Sequence, residues 1–150
     1  MSQYYNQGWL EFRNGTIQYL VHDIHVMLLS STYVFNPNHT VVTDLASHEI
    51  NVSGYVPGFG QPGRIAITGK LIQADLSLNR ILYKCNSVTW ATLGAGAQVG
   101  GVAFIRQITS DALSRPIGVL TSTPKNTDGS DFPIVWPTDG WARERPAPAS

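Results

Sequence analysis

Between positions 88 and 106 the chain reads VTWATLGAGAQVGGVAFIR and carries no charge before its closing arginine. A segment this apolar, rich in β-branched residues and bounded by glycines, predicts a strand buried on both faces. Its glycines and alanines predict a second backbone or sheet very close by, because larger side chains would hold it away. We take this stretch as the strand around which the chain is organised. Within it, Gly94-Ala95-Gly96-Ala97-Gln98-Val99-Gly100 superficially resembles a dinucleotide fingerprint, with spacing GxGxxxG. That motif needs a helix after it to receive a phosphate, whereas Val102-Ala103-Phe104-Ile105 reads as strand. The glycines are therefore read as structural.

Turn signals divide the remainder into short strands. Tyr5, Trp9 and Phe12 are spaced four and three apart, which predicts one face of a short helix over 4–14 despite Gly8. Asn14-Gly15 is its stop. Strands are predicted at 16–20, 24–30, 49–56, 64–73, 80–86, 117–122 and 131–136. Turns are predicted at Asn36-Pro37-Asn38, over 57–63 and 75–79, and at 125–130. Residues 43–48 read as a single helical turn capped by Thr43 or Asp44. Pro133 predicts an edge or bulge position for the last strand, and Pro116 sits where a strand starts. The expected fold is all-β, a single-domain β-sandwich of jelly-roll-like form. It would comprise an N-terminal helix or arm (1–14), a body (15–140) and an extended Pro/Ala-rich tail (141–150) that orders only on a partner.

Charge narrows the function. Formal net charge is zero and charged residues make up 13% of the chain, against about a quarter in a typical soluble domain. Nucleic-acid binding needs a basic stripe to displace counterions, so no nucleic-acid partner is expected. A weakly charged exterior suits a protein packed against other proteins. No window reaches the roughly 18 apolar residues of a membrane span, so no membrane partner is expected. The first residues lack the basic and apolar regions of a secretion signal. The single cysteine, Cys85, lies among Leu82, Tyr83 and Val88 and reads as a buried structural thiol.

The order of several segments resembles a family of tailed-bacteriophage virion structural proteins of the capsid decoration, or cement, kind. These are Asp23-Ile24-His25-Val26-Met27-Leu28 running into Ser30-Ser31-Thr32-Tyr33, then Asn36-Pro37-Asn38-His39-Thr40, Asp44-Leu45, Glu49-Ile50 and Gly54-Tyr55. Further on come Val88-Thr89-Trp90, Gly100-Gly101-Val102-Ala103, Pro116-Ile117-Gly118-Val119, and Gly129-Ser130-Asp131-Phe132 leading to Ile134-Val135-Trp136. The likeness spans about residues 15 to 140. It departs at Gly58-Phe59-Gly60-Gln61-Pro62-Gly63, where the family pattern has a Gly-Gly pair followed by leucine, and in the extra Pro-rich end. The resemblance implies a non-enzymatic protein, made in the host cytoplasm and resident on the capsid surface. Its partner would be the major capsid protein. Self-association as a dimer or trimer is expected separately, since closed symmetry is the common outcome for identical chains. A tail, head–tail junction or fibre-base adaptor is the alternative address.

Other chemistry is weaker in the sequence. His25 reads as a satisfied core histidine. His39, Asp44 and His48 lack the close spacing of a rigid metal site, so no metal or cofactor is expected, and no catalytic residue is assigned. Asp128, Asp131 and Asp139 sit in turns, where aspartate bonds locally. Trp90, Trp136 and Trp141 would suit a sugar-stacking platform, the least favoured reading, with Trp90 placed in the core. The residues assigned to partner binding are Trp136, Trp141, Arg143 and Arg145, two aromatic anchors and two guanidinium groups. On that assignment, removal of 141–150 weakens capsid binding and leaves the fold intact.

Overall fold

The computed structural model describes residues 2–145. Ten strands and two short helices follow one another: β1 (Ser2–Tyr4), α1 (Asn6–Arg13), β2 (Ile24–Ser30), α2 (Thr43–Ala46), β3 (Ile65–Ala66), β4 (Leu71–Asp75), β5 (Arg80–Lys84), β6 (Val88–Trp90), β7 (Gln98–Arg106), β8 (Arg115–Asn126), β9 (Phe132–Ile134) and β10 (Ala142–Glu144). The protein is all-β in character, with several antiparallel sheets and little helix. The largest sheet has the order β1-β8-β7-β2-β3; a second has β10-β5-β4; and β6 pairs with β9.

The organising stretch is two strands, not one. The chain leaves β6 through a turn in which Thr92 takes φ 45° and Gly96 φ 115°. The Leu93 N–H donates to the Ser130 carbonyl and the Gly94 N–H to that of Ser53. Gly94 lies so close to Ser53 that a Cβ would meet it at 2.8 Å. The Gly/Ala segment is thus a packed turn, and only β7 is the doubly covered strand. β7 lies between β2 and β8 and is buried from Gly101 to Ile105. Its side chains alternate between two cores. Val102 and Phe104 join the larger, with Trp90, Phe132 and Trp141; Ala103 and Ile105 join the smaller, with Met27, Leu29, Leu45 and Tyr5.

The helix forms as its spacing predicts, over Asn6–Arg13. Gly8 allows it to approach β8 closely: a Cβ there would collide with the Pro116 carbonyl. Asn14 ends the helix, and Gly15 turns the chain out at φ 84°. Among the described residues β9 pairs with β6 alone, which agrees with Pro133 at an edge.

Other expected strands are corrected. Residues 16–20 alternate in burial, with Ile17 and Tyr19 inside, but form a turn in which the Val21 and His22 N–H groups bond back to the Gln18 carbonyl. Residues 49–56 contribute only isolated bridges, Leu29 to Glu49 and Val52 to Tyr55, because Gly54 at φ 87° folds the segment on itself. The 64–73 strand breaks at Gly69, φ 62°, into β3 and the start of β4. The 117–122 strand is longer, as β8. The single turn at 43–48 is α2, but Asp44 does not cap it: its carboxylate accepts from the Thr40 and Val41 N–H groups just upstream.

The tail boundary also moves. Trp141 is 1% exposed, and the residues after it form β10, paired with β5 as Ala142–Tyr83, Arg143–Leu82 and Glu144–Ile81. The segment up to Glu144 therefore belongs to the body. Residues 146–150 lie outside the described residues.

Candidate functional site

Two of the four residues assigned to partner binding are core residues. Trp141 lies flat on Phe104, with ring centroids 3.9 Å apart and planes inclined by 8°. Its edge meets Phe12. Its indole N–H donates to the Tyr19 hydroxyl at 3.1 Å, and that hydroxyl donates to the Lys84 carbonyl at 2.6 Å. Burial raises the Tyr19 phenol above its usual pKa, so it stays protonated and able to donate. Trp136, 9% exposed, tilts against the same Phe104, and its N–H donates to the Asn86 carbonyl at 2.8 Å. Buried against Phe104 and with their N–H groups engaged, neither indole offers a free stacking platform. Trp90 is core as expected, its N–H donating to the Gly63 carbonyl at 2.7 Å.

The two arginines are exposed, but only Arg143 has a described role. Its guanidinium pairs with Asp139, which also holds Arg80 at 3.0 Å. The Arg143 N–H donates to the Tyr4 hydroxyl. Arg145 stands exposed just beyond β10. The four residues do not form one patch: both indoles pack on Phe104 inside, while Arg143 and Arg145 are exposed.

The strongest charge constellation is one the sequence did not disclose. The Arg64 guanidinium grips Glu49 in a bidentate pair, Nε to Oε1 at 2.9 Å and Nη2 to Oε2 at 2.7 Å. It grips Asp111 in a second, Nη1 to Oδ1 at 2.6 Å and Nη2 to Oδ2 at 3.1 Å. The Arg64 and Glu49 side chains are 1% exposed. Burial works against the Arg64 charge, but the hydrogen bonds it donates to the two carboxylates outweigh it and raise the guanidinium pKa further. Glu49 also accepts from the Tyr55 hydroxyl at 2.8 Å and the Gly58 N–H at 3.2 Å; Tyr55 in turn accepts from the Leu28 N–H of β2. Donors and carboxylates satisfy one another, so the network ties the 49–64 loop and the Asp111 loop to the main sheet. Arg64 lies 15 residues from Glu49 and 47 from Asp111, and no local pattern links them.

The histidines are scattered. His22 accepts the Gln18 N–H through Nδ1. His39 bonds the Tyr33 hydroxyl, and His48 meets the same ring edge-on. Asp44 is occupied by backbone N–H groups, and no group of three or more metal-ligating side chains comes together among the described residues. His25 is not a satisfied core histidine: its Nδ1 is buried without a hydrogen-bond partner, as is Oε1 of Gln107. Cys85 is half-buried, and burial pushes its thiol up to about 11.

The described exterior carries large bare aliphatic groups. Leu76 is 90% exposed, Val34 80% and Val135 78%. A cleft of about 340 Å³ is lined by Phe12, Ile17, Tyr19, Leu20, Val21 and Ile72. A second, of about 370 Å³, runs between Leu120 of β8 and the 133–137 segment, with Val135 and an edge of Trp136 in its wall. No family, curated protein or solved structure was found to match this chain.

Proposed function

We propose that this chain is a non-enzymatic virion structural protein, a capsid decoration or cement protein that binds the outside of a major capsid protein shell. The observation that carries the reading is the exterior: large aliphatic side chains stand bare on a chain with 13% charged residues and no net charge. Covering one such side chain contributes about 1.5–3 kcal/mol. A decoration protein repeats those modest contacts over many copies and many shell subunits, and so resists the outward pressure of packed DNA by summed contacts. The segments that resemble the virion family support a common scaffold. Ile24–Ser30, Gly100-Gly101-Val102-Ala103 and Ile117-Gly118-Val119 are the central strands β2, β7 and β8. A jelly-roll-like sandwich is part of the proposal. It is supported by a core in which Val26, Val102 and Phe104 of the five-stranded sheet meet Val88, Trp90 and Phe132 of the β6–β9 pair.

The contact surface proposed is apolar. It replaces Trp136 and Trp141 as anchors with Val135 and the wall of its cleft, and keeps the exposed Arg143 and Arg145 as polar contacts. The test is quantitative mass spectrometry and image reconstruction of intact particles. Copies in the hundreds on the shell exterior are expected, as the resemblance implies. A ring of a few to a dozen copies at the tail or junction would move the protein to that address, and particles lacking it would overturn the reading.

A further inference from the structure

The outer strand of the three-stranded sheet is β4, and it pairs on one side only, with β5. Its other side presents backbone N–H and C=O groups with no strand opposite among the described residues. Soluble proteins normally blunt such an edge with charge, proline or a bulge. β4 reads Leu71-Ile72-Gln73-Ala74-Asp75, and its register with β5 is unbroken from Leu71–Lys84 to Asp75–Arg80. Its one charge, Asp75, is already held by Arg80 at 2.8 Å. Successive side chains point to opposite faces, so aliphatic groups flank the edge on both. Ile72, 42% exposed, joins Leu20 and Val21 around one cleft, and Leu71 stands half-exposed on the other face.

We propose that β4 is a self-pairing edge: two copies of this chain join antiparallel through β4, about a two-fold axis at Gln73, and merge their three-stranded sheets into one. A second copy fits this edge for three reasons. The Gln73-centred register pairs every residue of both strands, with Leu71 opposite Asp75, Ile72 opposite Ala74 and Gln73 opposite itself. In that register no like charges meet, and the Gln73 amide, being both donor and acceptor, is complementary to its own copy. Two chains of zero net charge also do not repel one another at long range. Five paired residues give an edge only about 17 Å long, so strand pairing by itself cannot supply the roughly 800 Å² per partner of a stable interface. The bare Leu20, Val21, Ile72, Leu71, Leu76 and Leu78 supply the apolar flank that completes it.

The purified full chain answers the question without any particle, so the outcome is separable from the virion reading. Sedimentation equilibrium over the micromolar range is expected to show a monomer–dimer equilibrium. Ile72→Lys, at an exposed site, should weaken the dimer at least tenfold with unchanged circular dichroism. Gln73→Cys should give a disulfide-linked dimer under mild oxidation, because directly opposed residues of paired strands lie within disulfide reach. Leu78→Cys, off the axis, should not. A chain that stays monomeric, a dimer indifferent to Ile72→Lys, or a Gln73→Cys chain that does not cross-link would overturn the inference. Protection of the 71–75 amides from hydrogen exchange only on assembled particles would assign the edge to a strand of the shell protein, and would overturn self-pairing as well.

Discussion

Replacing Trp141 by alanine separates the two roles proposed for this side chain. As an exposed anchor, its loss would weaken partner binding and leave the free protein as stable as before. In the structure the indole is 1% exposed, stacked on Phe104 and hydrogen-bonded to Tyr19. Truncating a buried tryptophan costs about 3–5 kcal/mol through lost transfer energy and the cavity left behind. The Tyr19 hydroxyl keeps its bond to the Lys84 carbonyl but loses the indole donor, a smaller term of about 1 kcal/mol. Against a total stability of about 5–15 kcal/mol, the expected loss is a third or more. In a chain of this size it corresponds to a fall in melting temperature of roughly 10 °C. Trp141→Phe retains a ring on Phe104 and should lose well under half as much. Urea denaturation with calorimetry reads both variants. A Trp141→Ala protein within about 1 kcal/mol of the wild type would refute the core assignment and restore the anchor. By the same reasoning, removal of 141–150 should destabilise the fold instead of sparing it.

Arg64→Met strands Glu49 as a buried carboxylate beside Asp111, and should cost about 3–5 kcal/mol in urea denaturation. Adding Glu49→Gln should recover part of that loss, and a double variant less stable than the single one would contradict the pairing described. His25 is held below its usual pKa by burial; Asp23 opposes the shift and Arg64 adds to it. The unfolded chain then takes up this proton more readily than the folded one. Stability should therefore be full above the unfolded pKa of about 6.5 and decline as pH falls below it toward the folded value. His25→Phe should show a shallower decline between pH 7.5 and 5 in denaturant midpoints, and identical slopes would remove His25 as the cause. Cys85, raised to about 11, should react with iodoacetamide at pH 8 much more slowly than a free thiol, and become reactive once urea unfolds the chain.

The elements most legible in the sequence were those whose cause is local. The 4-3 spacing of Tyr5, Trp9 and Phe12 with Asn14-Gly15 behind it marked α1, and the uncharged run through Phe104 marked β7 as a doubly buried strand. Pro133 marked an edge. Residues 16–20 and 49–56 misled because alternating burial records which side chains face inward, not where backbone hydrogen bonds go; at Gln18 and Gly54 those bonds close locally. Trp136 and Trp141 read as surface anchors because they lie at or near a Pro/Ala-rich end that has no apolar periodicity. Their partners, Asn86, Phe104 and Tyr19, are remote in the chain. The Arg64 network was invisible for the same reason.

The sequence by itself determined a turn-punctuated, weakly charged β protein with one uncharged central strand, since composition, spacing and φ preference act within a few residues. Tertiary structure alone decided which strands pair, that Trp141 closes the core, that Arg64 binds two distant carboxylates, and that β4 has an open side among the described residues. Each depends on side chains and backbone groups that meet only when segments tens of residues apart are folded against one another.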